Sequence, residues 1–139
     1  MIVVVGVDSS AHSIEVLEKA IAEAERRKAE LHVVHVFNPP VVYVEVPIDM
    51  VQVAEGERNA MWRQLEPSLT ASDLELKRVD LDGYPPDTLV AYADEVGASL
   101  LVIGTRGRGE LASLILGSTS HRAIHLAPCD VLVVKPSAS

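Results

Sequence analysis

The sequence predicts a doubly wound α/β domain: an open, parallel, five-stranded sheet in the order 3-2-1-4-5 with helices on both faces. Apolar runs alternate with amphipathic stretches from end to end, the pattern of a parallel sheet wrapped by helices. The runs Ile2 to Val7 and Leu100 to Ile103 are continuously apolar, as strands buried on both faces are, so they belong at the centre. A hydrophobic content of 48% with only 4% aromatics calls for an aliphatic core.

The elements follow in order. Ile2 to Val7 ends at Asp8-Ser9-Ser10, where Ser9 or Ser10 is expected to cap a helix. Ile14, Leu17, Ala20, Ile21 and Ala24 then form one apolar helical face. Leu31 to Phe37 is a second strand, stopped by Asn38-Pro39-Pro40. A loop leads to a helical pattern through Met50, Val53, Ala54, Met61 and Leu65. Leu74 to Leu81 is polar at alternate positions in its first half, as an edge strand is. Pro85-Pro86-Asp87 opens a third helix that Gly97 closes. The strand Leu100 to Ile103 stops at Gly104. A long glycine-bearing segment follows, and Ser118 starts a last helix that Pro128 ends. Val131 to Val134 is the final strand. No repeat or linker divides residues 1–139, which read as one domain of ordinary size.

Composition excludes several classes. Twelve basic against 20 acidic residues give a net charge of −8, which argues against binding nucleic acid or an anionic membrane surface. The single cysteine, Cys129, rules out an internal disulfide and a multi-cysteine zinc site. No apolar run approaches the ~18 residues of a membrane span. The amino terminus lacks a basic signal-peptide region, so a cytoplasmic location is expected.

The order 3-2-1-4-5 reverses direction between the first and fourth strands, and ligands in such sheets bind at that point, beyond the strand carboxyl ends. Those ends are Asp8 and Gly104. The turn after the first strand is not a dinucleotide-binding glycine fingerprint, and no phosphate loop ending in Gly-Lys-Ser/Thr occurs. The fourth strand instead leads into Gly104-Thr105-Arg106-Gly107-Arg108-Gly109 and, later, Gly117-Ser118-Thr119-Ser120. Glycines let the backbone approach phosphate oxygens closely. The start of the last helix adds free N–H groups and a positive dipole end. Arg106 and Arg108 supply charge.

Gly104, two residues, Gly107, nine residues, then Gly117-Ser118 resembles the ATP-binding signature of the universal stress proteins. The opening through Val7-Asp8, Ser9 and Ser13, the stretch from Gly83 to Ala98 and the close from Ala127 to Val134 also look like that family. The resemblance implies a Rossmann-like domain acting as a nucleotide-dependent regulatory or stress-response module. It implies that Asp8 hydrogen-bonds the ribose, with Val7 and Ser9 in the adjacent loop, and that Val36 offers backbone groups to adenine. Gly104, Gly107, Gly117, Ser118 and Thr119 would surround the triphosphate, with Arg106 and Ser120 nearby. Mg²⁺ is expected as the usual companion of a triphosphate. Ser9 stands where many members have glycine, from which weakened rather than abolished binding is expected. The alternatives are a nucleotide-free dimeric adaptor, which the glycine signature counts against, and a slow ATPase or adenylyl-transferring enzyme, for which no nucleophile is evident.

Other candidates read as structure. His121 and His125, four apart on a helix, read as a partly exposed face, and His32 and His35 fall on opposite faces of a strand. Cys129 and Trp62 read as packing residues, and Tyr43 as surface. Val131, Leu132, Val133 and Val134 form an apolar edge, an aggregation hazard unless covered. Antiparallel pairing with the same strand of a second subunit removes it by two-fold symmetry, and the resemblance implies that homodimer too. A regulatory partner protein, of unidentified nature, is also expected.

Overall fold

The computed structural model describes residues 1–37, 48–105 and 117–137. Nine elements alternate along the chain: β1 (Ile2–Val7), α1 (His12–Arg27), β2 (Glu30–Phe37), α2 (Ile48–Thr70), β3 (Leu76–Asp82), α3 (Pro85–Glu95), β4 (Leu100–Gly104), α4 (Ser118–Leu126) and β5 (Asp130–Val134). The five strands pair in parallel in the order β3-β2-β1-β4-β5, as the apolar runs predict. No helix among the described residues is long and apolar enough to cross a membrane.

Successive residues of each strand point to opposite faces, and the central strands are apolar on both. On one face, Val3, Val5, Leu31, Val33 and Val102 pack against Leu17, Ala20 and Ala24 of α1 and Met61, Trp62, Leu65 and Leu69 of α2. On the other, Val4, Val34, Leu101 and Ile103 meet Leu89 and Ala93 of α3 and Ala123 of α4. The outer strand β3 alternates, with Lys77, Arg78, Asp80 and Asp82 exposed.

The structure corrects several local expectations. Neither Ser9 nor Ser10 caps α1: its N-cap is Ala11, which makes no side-chain cap bond, and Asp8 organises the turn instead. The strand β3 begins at Leu76 rather than Leu74. The helix α2 continues through Pro67 to Thr70, which brings Leu69 into the core, while Val53 points to solvent. Two helices end on the same hydrogen-bond pattern. Ala29 N–H reaches Ala24 O at 2.8 Å, and Ala98 N–H reaches Ala93 O at 2.9 Å, each closing over a left-handed residue. In α3 that residue is the expected Gly97 (φ 66°); in α1 it is Lys28 (φ 53°).

Candidate functional site

The carboxyl ends of β1 and β4 lie side by side, since Val3, Val4 and Val5 pair with Leu100, Leu101 and Val102. Continuing that register sets Val7 level with Gly104. On the other side Val7 pairs with His35, so Val36 lies one step further along, level with Asp8.

Asp8 makes the β1–α1 turn rigid. Its Oδ1 accepts the Ser10 N–H at 2.8 Å and the hydroxyls of Ser10 at 2.5 Å and Ser13 at 2.9 Å. Its own N–H donates to Ser13 Oγ at 2.8 Å. The bond to the amide two residues on is an Asx turn. Hydrogen bonds to an ionised acceptor are about twice as strong as neutral ones, and the carboxylate sits where the α1 dipole is positive.

The β4 end is fastened from both directions. Gly117 N–H donates to Thr105 O at 2.7 Å, and the Ser120 hydroxyl, 3% exposed, donates to Gly104 O. These bonds bring the start of α4 to the end of β4, although eleven residues separate Thr105 from Gly117. Gly117 is itself the N-cap of α4, and Ser118 and Thr119 are the helix's first two residues. Arg106 and Gly107, like Arg108, Gly109 and Tyr43, lie outside the described residues.

One neighbouring residue escaped the sequence reading. His12, in the first turn of α1, donates its Nε2–H to Val134 O at 2.8 Å, and the Thr105 N–H reaches that same carbonyl at 3.1 Å. A carbonyl only accepts, so this bond needs the proton on Nε2; Nδ1 is buried with no hydrogen-bond partner among the described residues, and Glu15 Oε2 lies 4.0 Å from it. Glu15, one turn on, accepts the Ser137 N–H at 2.9 Å. The first turn of α1 thus anchors the end of β5 and the start of the 105–117 segment together. No local sequence pattern signals this contact, because its partners are 122 residues apart.

The His12 ring explains Gly104. A Cβ at position 104 would lie 2.9 Å from His12 Cδ2 and 3.1 Å from both His12 Nε2 and Val16 Cγ2. Gly104→Ala is therefore expected to push the ring off Val134 and cost about 1–3 kcal/mol. Thermal denaturation checks this: a melting temperature lower by several degrees is the expected result.

Several other polar groups make structural contacts. His32, 4% exposed, bonds Tyr92 Oη through Nδ1 at 2.7 Å and Glu30 through Nε2 at 3.1 Å. His35 instead turns to Asp80 at 3.1 Å. Burial, and secondarily the charge of Asp130, push the Cys129 thiol up, so it is a poor nucleophile. Across the α3–α4 seam, Arg122 Nε donates to Asp87 at 2.5 Å and holds its carboxyl below the usual aspartate range. A depressed value stabilises the fold above the ordinary aspartate range, and that contribution is lost as pH falls through it. Arg122→Ala is expected to return Asp87 to the ordinary range, read by NMR titration of its carboxyl carbon, with little change in overall stability for so exposed a pair.

The fold is an open, doubly wound α/β domain whose strand order reverses direction at the carboxyl ends of β1 and β4. The family model of the universal stress protein family matches residues 1–135, and the chain belongs to that family. A universal stress protein of Thermus aquaticus is 35% identical over 92% of this chain and 93% of its own length. A solved universal stress protein in complex with cAMP superposes with a TM-score of 0.77 at 29% identity, covering 99% of this chain and 98% of that one. The Archaeoglobus fulgidus universal stress protein in complex with dAMP superposes with a TM-score of 0.68 at 28% identity, covering 97% and 98%.

Proposed function

We propose that this protein is an adenine-nucleotide-binding regulatory module whose site is the carboxyl end of β1 and β4. The observation that carries the reading is the fastening of Gly117 and Ser120 onto Thr105 and Gly104, which sets a helix amino terminus at the switch point. Free N–H groups and the dipole there suit phosphate. The cAMP and dAMP complexes of two relatives support the adenine nucleotide.

In this reading ATP is the nucleotide. Asp8, with Val7 and Ser9 beside it, orients the ribose, and the Val36 backbone meets adenine. Gly104, Gly107, Gly117, Ser118 and Thr119 surround the phosphates, with Arg106 adding charge and Ser120 holding the β4 end. Mg²⁺ arrives on the triphosphate, bound largely through phosphate and water. The chain acts as one cytoplasmic domain, and nucleotide occupancy sets the surface of the 104–117 segment that a partner protein reads. Two copies pair through Val131 to Val134, of which Val131, Leu132 and Val133 are half-buried along an open sheet edge.

Calorimetric titration with ATP tests the ribose assignment through Asp8→Ala. The variant loses three bonds to Oδ1, costing about 1–3 kcal/mol of stability, and is expected to bind ATP at least about tenfold more weakly. Parent-like affinity in folded Asp8→Ala rejects the assignment.

A further inference from the structure

We infer that His121 and His125 form a chelating site for a borderline transition-metal ion, Cu²⁺ foremost, on the outer face of α4. The chain has five histidines, and three are committed elsewhere. The rings of His12, His32 and His35 are 11%, 6% and 12% exposed, and each is hydrogen-bonded. Only His121 and His125 are exposed; their rings meet edge to face, and neither side chain makes a hydrogen bond or ion pair among the described residues.

Four residues on a helix set two side chains about 40° apart around the axis and about 6 Å along it. The ring centroids stand 4.7 Å apart. A metal–nitrogen bond of about 2.0–2.1 Å puts the ion about 3.2 Å from each centroid. Two rings sharing one ion then have centroids about 4.5 Å apart at a right angle and about 5.2 Å apart at the tetrahedral angle. The observed spacing falls inside that interval, so the two rings are close enough to share one ion.

The ligand set decides which ion. Two neutral imidazoles with water in the remaining positions favour Cu²⁺ over Ni²⁺ and Zn²⁺. They do not suit Mg²⁺ or Ca²⁺, which take oxygen ligands, so this site differs in chemistry from the nucleotide end and does not depend on it.

The test is titration of the tag-free full chain with Cu²⁺ in a non-coordinating buffer, followed by calorimetry and electron paramagnetic resonance. One Cu²⁺ per chain with equatorial nitrogen hyperfine structure is expected, unaffected by equimolar Mg²⁺. His121→Ala and His125→Ala should each weaken binding about tenfold or more. The double variant His125→Ala, Leu126→His keeps two histidines but sets them about 140° apart, and it should bind no better than the single variants. Because these positions are exposed, circular dichroism should match the parent throughout. Absence of saturable Cu²⁺ binding below about 100 µM overturns the inference. So does parent-like affinity in either single variant or in the shifted pair.

Discussion

Gly117→Val is expected to abolish adenine-nucleotide binding while leaving the protein folded. Gly117 lies at φ −60°, ψ 155°, a conformation open to any residue, so valine introduces no backbone strain. The N–H that bonds Thr105 O also survives the change. What changes is a branched side chain at the mouth of α4, where in the proposed reading the first N–H groups of the helix receive phosphate. Gly117 is buried, so crowding is expected to cost about 1–3 kcal/mol. That is less than the roughly 5–15 kcal/mol typical of domain stability. Loss of close phosphate approach should raise the dissociation constant about a hundredfold or more. Calorimetry alongside circular dichroism separates the two effects. Undiminished affinity in a folded variant would reject the phosphate assignment.

Trp62→Ala is expected to produce the largest loss of stability. Trp62 is 8% exposed and packs with Met61, Leu65 and Leu69 on the α1–α2 face. Its indole N–H reaches both carboxylate oxygens of Asp80, at 3.1 and 3.2 Å, and Arg78 lies 5.5 Å from its ring centroid. Truncation leaves a cavity and an unfilled helix–sheet contact, at a cost of about 3–5 kcal/mol. The melting temperature should fall by about 10 °C or more. Trp62→Phe keeps most of the packing and loses mainly the hydrogen bond, about 1 kcal/mol. Equal losses in the two variants would mean that the Asp80 bond, not packing, dominates.

The strand order was legible because the strands differ in kind. Val3, Val4 and Val5 are apolar on both faces and central, whereas β3 alternates with Lys77, Arg78 and Asp80 and lies at an edge. The α3 stop was legible because glycine is the usual left-handed closing residue. The equivalent stop of α1 was not, because Lys28 adopts that conformation against its own preference. The helical pattern read from the sequence reaches only Leu65, whereas α2 runs on through Pro67 to Thr70 and buries Leu69.

At the site, the sequence marked Asp8, Gly104, Gly117 and Ser120, and the fold brings all four to one end of the sheet. At Gly104 the structure supplies a reason for glycine, because a Cβ there would lie 2.9 Å from His12 Cδ2. The role of His12 was not legible, since its bond to Val134 O exists only once α1 and β5 meet. Likewise, the serines after Asp8 suggested a helix cap, but the carboxylate collects their donors. The Ser10 hydroxyl donates to the charged acceptor, a stronger bond than a neutral cap would make, rather than accepting from the helix.

Native mass spectrometry of the purified protein, before and after addition of millimolar ATP with Mg²⁺, tests the central claim most directly. A dimer that gains the mass of one ATP per chain is the predicted result. Chains that gain no nucleotide at millimolar ATP would contradict it, and the bonds joining the end of β4 to the start of α4 would then be part of the scaffold alone.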